Sequence, residues 1–434
     1  MRLLYPILVL SLLILSGCGQ SSFLQKRESI QEAIQNRESS PAERQIIRNM
    51  QPGNQSALFQ TLNSGMLAFS AGQPDTALQY WNRAERIIDD QYTRRISQKL
   101  TSMVSNEYSE NYEGYPIEHL LLHFFKSLSL MQKNDPDAAV VEMRKMNERF
   151  TYLEDHPEPY KRKRSHFRLL NLYAGHLFAM AGEENDARVS FLHAGLDYDS
   201  LVTAGSAPGK QPLTIRLDGF IQELFEGSIH LLITTESDFH SIKVAYPVLF
   251  DRFAPKPGHP VYPGEKKSDD VSLPVNARFE EDFNARESIM AKERISRAAT
   301  KFLLSSGVTT VTGAILDDRE AEREKQRQEN KEVDEPDGFD TFLQVLWIGG
   351  QVMKVVGTAT EMADLRQWFT LPASISLSQS SFPESVYPDE LFRTDRILVR
   401  WTPARVIRSF PSNQYQKSES IDFTGKALQV DEDD

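Results

Sequence analysis

A single cysteine, Cys18, in 434 residues leaves no intramolecular disulfide to form, so the fold must rest on its apolar core. A chain of this length can bury one amply, in two or three domains. Excess positive charge is also missing: 49 Lys and Arg stand against 61 Asp and Glu, a formal net charge of −12. An acidic balance argues against nucleic acid as a partner. Catalytic signatures are scarce as well, with no nucleophile elbow around a serine and no Gly-x-Gly-x-x-Gly. The stretch Gly205 to Gly209-Lys210 is one residue short of a phosphate loop, has Gln211 where a hydroxyl is required and lacks a preceding strand, so it reads as a turn. No catalytic residue, metal or cofactor is assigned, and the chain is expected not to be an enzyme.

What is present begins at the N-terminus. Arg2 precedes the apolar run Leu3 to Leu15, which is too short to cross a bilayer core of ~30 Å and reads as an export signal. The run ends in Leu15-Ser16-Gly17-Cys18, which resembles the lipobox of bacterial lipoproteins. The resemblance implies a signal peptide over 1–17 and a lipid, palmitate among its acyl chains, on Cys18. Each buried methylene adds about 0.8 kcal/mol, so several chains anchor permanently. Gly19, in place of aspartate, implies by the same likeness an outer-membrane lipoprotein with its body in the periplasm. The alternative is an ordinary secretory signal with an accidental cysteine, although free cysteines are rare in exported chains.

From Gly19 to about Gln55 Ser, Gln, Glu and Arg dominate, with Ile30, Ile34, Ile46 and Ile47 scattered among them. Residues 18–55 are therefore expected to be a lipid anchor and tether with one weak helix. Helical periodicity, broken by Gly and Asp/Pro turns, predicts an all-helical domain over 56–200. Within it three windows align on Ala77, Ala139 and Ala187. Gly65, Gly72, Trp81 and Ala84 flank the first at the offsets at which Gly175, Gly182, Phe191 and Ala194 flank the third. The second is degenerate, with Ser127, Met143 and Met146 at the matching sites. Small residues let two helices approach closely, and glycine ends the first of them. The offsets resemble the tetratricopeptide repeat, which implies antiparallel helix pairs. The anchors lie 62 and 48 residues apart rather than at a regular ~34, so additional helices are expected near Tyr92 to Tyr108 and Phe150 to Tyr160. A plain helical bundle is the alternative.

Beyond the loop Thr203 to Pro212 the texture changes. Gly227 to Ile233, Ile242 to Val248, Val271 to Pro274, Ile375 to Leu377, Ile397 to Trp401 and Val406 to Phe410 read as short strands. Between them the apolar stretches Ile295 to Leu316 and Phe339 to Ala359 predict a long helical hairpin within 280–360. Its connector, Asp317 to Asp337, has ten acidic and five basic residues and is expected to be solvated. The mixed domain spans 213–420, followed by an acidic tail, 421–434. Phe339 to Ala359 is nearly long enough to span a bilayer, but Asp340, Gln344, Gln351, Lys354 and three glycines favour a buried helix, with a glycine-mediated oligomer contact as the alternative.

Few residues point to a site. His119 and His123 share a helix face at a metal-ligand spacing, but Leu120 stands where a zincin needs Glu, so no metal is expected. Lys161, Arg162, Lys163 and Arg164 form the sharpest basic cluster and are the candidate partner-binding residues. The plainer reading is a run that faces water. Thr360-Glu361-Met362-Ala363-Asp364-Leu365-Arg366-Gln367-Trp368, followed by Leu371-Pro372-Ala373, resembles a segment of a proteobacterial outer-membrane lipoprotein family with tetratricopeptide-like N-terminal halves. In that family the pattern joins a helix to a β-rich end. Members are sometimes encoded beside an outer-membrane activator of peptidoglycan synthesis, which implies cell-envelope work and supplies no catalytic residue. Asp364 and Arg366 read as a structural ion pair, with a functional pair as the alternative.

The expectation is an α+β protein: a tetratricopeptide-like α-helical domain followed by a mixed domain of short strands and a long helical hairpin. It would act as a membrane-anchored scaffold that binds envelope proteins on the first helices of its repeats. The partners would be such proteins and the bilayer reached through Cys18, with homo-oligomerisation as an option. The rivals are an envelope hydrolase with a site between the helical and β domains, including His230 or His240, and an oligomeric structural subunit. Radiolabelled fatty acid should mark the wild-type chain and not Cys18→Ala. An unlabelled wild type, or label that persists on the variant, would overturn the anchor.

Overall fold

The computed structural model describes residues 18–50, 56–94, 111–155, 161–203, 208–221, 225–233, 244–252, 271–283, 285–286, 316–328, 366–379, 382, 385–402, 416–421 and 427–428. Its element order is helices first, then strands, which makes the fold α+β.

Helix begins earlier than the polar composition of 18–55 implied. In place of a tether there are two helices, α1 (Cys18–Gln35) and α2 (Pro41–Met50). Ile30 and Ile34 lie one turn apart on α1, Ile47 and Met50 share a face of α2, and all four are buried while the polar majority faces outward. Ser40 and Glu43 cap α2: the Ser40 amide donates to Glu43 Oε2 at 2.6 Å and the Ala42 amide to Ser40 Oγ at 3.1 Å.

Among the described residues three helix pairs follow: α3 (Ala57–Ser70) with α4 (Pro74–Arg94), α5 (Pro116–Gln132) with α6 (Pro136–Asp155), and α7 (Arg168–Met180) with α8 (Glu184–His193). A 3-10 turn (Arg164–Phe167) leads into α7, and the short α9 (Tyr198–Thr203) closes the helical region. Each pair turns on three residues, and the middle one is left-handed: Gly72 at φ 70°, Asn134 at 56° and Gly182 at 77°. The next amide then reaches back five residues in all three, Gln73 to Ala68 O, Asp135 to Leu130 O and Glu183 to Phe178 O, at 2.8–3.0 Å. Asparagine tolerates this conformation best among non-glycine residues. The second window, degenerate in sequence, therefore keeps the same turn.

Inside the pairs the small positions are filled from the facing helix. A Cβ on Gly65 would fall 2.1–2.6 Å from indole atoms of Trp81, and one on Gly175 would fall 2.9 Å from the Phe191 ring. Ala77, Ala84, Ala139, Ala187 and Ala194 are buried between helices. In the middle pair Ser127 accepts that place, its hydroxyl donating to Phe124 O at 2.7 Å and lying 3.0 Å from the Tyr173 hydroxyl of α7. Phe150 belongs to α6 itself, so the long spacing to the third pair comes from the length of α6 and the connection after it.

Among the described residues nine strands follow in order: β1 (Leu213–Asp218), β2 (Phe225–Ile233), β3 (Val244–Arg252), β4 (Val271–Leu273), β5 (Ser374–Gln379), β6 (Glu390–Arg393), β7 (Ile397–Thr402), β8 (Gln416–Ile421) and β9 (Ala427–Leu428). They form a five-stranded sheet, β4-β5-β1-β7-β6, and a four-stranded sheet, β3-β2-β8-β9. In each a parallel pair, β1 with β7 or β2 with β8, is flanked by antiparallel neighbours. Leu213, Ile215 and Leu217 put the buried face of β1 at the centre of the first sheet, which packs against α7. One apolar core runs from Ile30 to Trp401, so the boundary expected near 200–213 is not a break in packing.

Within the expected hairpin, residues 275–283 and 316–328 are helical, and most of the acidic connector lies on the second, exposed helix. Ala427 and Leu428, expected in a loose tail, pair with Ile421 and Ser420. Residues 1–17, the apolar stretches over 295–315 and 339–359, Val406 to Phe410 and 429–434 lie outside the described residues.

Candidate functional site

The polar residues that join the helical region to the strands converge on the N-terminus of α5. The first turn of any helix leaves amide N–H groups without partners inside it. Pro116 at the first position removes one, and the Tyr115 amide is taken by Glu118 Oε2 at 2.9 Å. The Ile117 amide is taken by Asp282 Oδ2 at 2.7 Å, from the helix at 275–283. Both carboxyl groups are buried. Glu118 also accepts the Tyr112 hydroxyl at 2.6 and 2.8 Å and the main-chain amide of Trp368 at 2.6 Å. Asp282 pairs through Oδ1 with Arg162 Nε at 2.7 Å. Burial outweighs these donors and pushes Glu118 up to about 7 and Asp282 up to about 6.

Trp368 lies in a strap, Arg366 to Leu371, every residue of which is buried. Its indole meets Trp81 of α4 at 6.1 Å and Phe125 of α5 at 5.9 Å, and Phe369 meets Phe59 of α3 at 5.8 Å. The Arg27 guanidinium of α1 covers Phe369 at 5.4 Å, and Arg366 lies 5.5 Å over Tyr112. Asn63 of α3 reads the backbone: its Oδ1 accepts the Thr370 amide at 3.2 Å and the Thr370 hydroxyl at 2.9 Å. On α7, His176 meets Gln379 of β5 at 2.9 Å and is held down at about 4 by burial. The first helix of every pair thus gives one buried polar side chain to the C-terminal segments.

A second buried cluster is structural. Lys126 of α5 sits between Glu85 of α4 at 2.5 Å and Glu142 of α6 at 2.8 Å, and His123 Nδ1 lies 2.8 Å from Glu142. Although burial opposes ionisation, His123 and Lys126 bring Glu142 down to about 2. Glu85, His123 and Glu142 have metal-like spacing, but the Lys126 ammonium already lies between the two carboxylates, and Lys145 pairs with both as the second cation. His119, expected beside His123, instead turns to the Glu113 carbonyl at 2.8 Å.

The basic run is not one solvated patch. Lys161 and Lys163 are exposed, whereas Arg162 turns inward to Asp282 and Arg164 turns onto α6, 5.0 Å over the Phe150 ring and 3.1 Å from the Asn147 carbonyl. An alternation of out and in through an extended segment separates what the sequence places together, and two of the four candidate binding residues are core contacts. The structure puts Gly65, Ala77, Trp81, Ala84, Gly175, Ala187, Phe191 and Ala194 at helix-to-helix contacts rather than in a site. Cys18 is the first residue of α1. Asp364, His240 and the side chain of His230 lie outside the described residues. Among the described residues no helix is long and apolar enough to cross a membrane.

Sequence reasoning missed Glu118, Asn63 and Asp282. Glu118 carried a legible signal, since Pro at the first helical position with Glu two residues on marks a helix start. Comparison with known protein families, curated proteins and solved structures finds no match.

Neutralising Lys161 and Lys163 together should change stability by less than about 0.5 kcal/mol. Arg162→Met, which leaves Asp282 buried without its cation, should cost about 3 kcal/mol at pH 8 and less at pH 5, where Asp282 takes a proton. Urea unfolding of the variants at both pH values measures this, and an equal cost at the two would contradict the assignment.

Proposed function

We propose that this chain is a lipid-anchored scaffold of the outer membrane, facing the periplasm, whose tetratricopeptide-like helix pairs clasp extended protein segments. The common three-residue turn, the large side chain packed on a small one in the outer pairs, and the offsets of Gly65 and Gly175 support the repeat reading. One observation carries the clasp. Asn63 and Glu118, on the first helices of neighbouring pairs, hold main-chain amides at Thr370 and Trp368 while α3, α4 and α5 take the two aromatic side chains between them.

Main-chain hydrogen bonds give affinity that is independent of sequence, and aromatic pockets give selection. In the form described here the clasped segment is the chain's own, so the first-helix faces are not empty, as a simple scaffold would require. A tethered strap competes at an effective concentration on the order of mM, and a partner segment must exceed that to exchange with it. Lys161 and Lys163 remain outside as exposed cations suited to an acidic partner.

Truncating the strap tests the reading. Trp368→Ala should lower the thermal midpoint, and a synthetic peptide with the sequence of residues 364–373 should restore part of it at high micromolar concentration, while the same peptide with Ala at the tryptophan position should not. A variant that keeps its helical circular dichroism yet shows no shift with the intact peptide would refute the clasp.

A further inference from the structure

We propose that α1 and α3 form two walls of a site for one tight turn of chain, and that these walls select the order aromatic, aromatic, Ser or Thr. The inference names the class of segment that the clasp accepts and rests on that reading.

The resident segment shows what is read. Between Trp368 and Leu371 the chain turns, with the Leu371 amide donating to the Trp368 carbonyl at 3.0 Å. The central peptide group of such a turn, here the Phe369 carbonyl with the Thr370 amide, has no partner inside the turn, and its planar trans geometry aims the two groups in opposite directions. Each meets a side chain from a different helix. Gln31 of α1 donates to the Phe369 carbonyl at 3.3 Å, and Asn63 of α3 accepts the Thr370 amide at 3.2 Å. Asn63 can face only this way round, because its Nδ2 donates to the Phe59 carbonyl at 2.8 Å and to the Gln367 carbonyl at 3.4 Å. These main-chain contacts fix where a turn sits, and the side chains decide which turn.

The first side chain, Trp368, lies between Trp81 and Phe125, and its buried indole N–H meets no protein acceptor. The pocket therefore reads the rings and not the N–H. The second, Phe369, is held between the Phe59 ring at 5.8 Å and the Arg27 guanidinium at 5.4 Å. Arg27 is itself fixed, since it donates to the Ile221 carbonyl at 2.7 Å while the Ile221 amide donates to the Leu371 carbonyl at 2.9 Å. A buried guanidinium over a ring attracts an aromatic face and gives an aliphatic side chain nothing comparable. The third, Thr370, donates its hydroxyl to Asn63 Oδ1 at 2.9 Å, the same oxygen that takes its amide. Serine keeps that bond, whereas valine, of the same shape, leaves the buried oxygen one donor short. The orphaned indole N–H makes the resident segment a weaker ligand than a foreign one without it, which is how a tethered turn yields its place.

Labelled peptides of residues 364–373, bound to the full chain carrying Trp368→Ala and followed by fluorescence anisotropy, test the class. In the peptide, Phe369→Leu should weaken binding about fivefold and Thr370→Val about tenfold, while Thr370→Ser should bind as the parent does. A peptide with 2-naphthylalanine in place of Trp368 keeps the two rings without the N–H and should bind more tightly than the parent. These changes lie in the peptide, so a folding defect cannot imitate them. In the protein, Arg27→Met should abolish the Phe-to-Leu difference and keep the Thr-to-Val difference, and Gln31→Ala, at a half-buried position, should weaken every peptide alike. Peptides that bind equally whatever stands at the second and third positions overturn the inference and leave the clasp. A protein whose binding is indifferent to Gln31→Ala removes α1 from the site. Binding by none of the peptides removes the clasp and this inference with it.

Discussion

Two carboxyl groups close the N-terminus of α5, and neither meets solvent. A helix start buried without partners would forfeit several hydrogen bonds, so these acceptors are obligatory once the turn is enclosed. Their supply is what knits the chain. Glu118 comes from the helix itself and Asp282 from a segment 165 residues away, and each brings a further contact with it, Trp368 to one and Arg162 to the other. The helical region, the strap and the helix at 275–283 are thereby fixed to one point. A buried cap that serves three segments has no simple replacement, because removing Glu118 strands the Tyr115 and Trp368 amides and removing Asp282 strands the Ile117 amide and the Arg162 guanidinium.

The helix pairs provide the frame on which that point sits. Their turns share one backbone conformation, and in the outer pairs an aromatic ring from the second helix fills the space above a glycine in the first. The half-buried Glu85 and the buried Lys126 and Glu142 then tie the first pair to the second. Burying such a cluster adds little net stability but penalises any other register, which suits a frame that must present Asn63 and Glu118 at a fixed spacing. In the proposed function, the faces that hold Thr370 and Trp368 through Asn63 and Glu118 are the ones that grip an extended segment.

Much of the frame was legible in the sequence because it depends on local spacing. Gly72 and Gly182 mark turns by themselves, whereas Asn134 does the same work and left no glycine to notice. Strands β2, β3, β5 and β7 announced themselves by β-branched runs, while β1 was overlooked although Leu213, Ile215 and Leu217 alternate plainly. The N-terminal helices were hidden by a polar majority, because a few buried apolar side chains per helix, Ile30 and Ile34 on α1 and Ile47 and Met50 on α2, suffice when the neighbours supply the rest of the core. The joint itself was the least visible part. Asp282 meets Ile117, and Asn63 meets Thr370 across 307 residues, and nothing in the local pattern of either partner records the other. The family-like string around Arg366 to Trp368 drew attention to the right segment, but its resemblance placed it between domains, not inside the helical frame.

The grip of α3 on the strap can be measured directly by a double-mutant cycle between Asn63→Ala and Thr370→Val, which removes the side-chain hydrogen bond seen at 2.9 Å. Equilibrium unfolding of the four proteins should give a coupling of about 1 kcal/mol, the worth of a buried hydrogen bond whose loss leaves its partner unsatisfied. Effects that add within about 0.3 kcal/mol would mean that the two residues do not touch and that the strap does not lie on the helical frame.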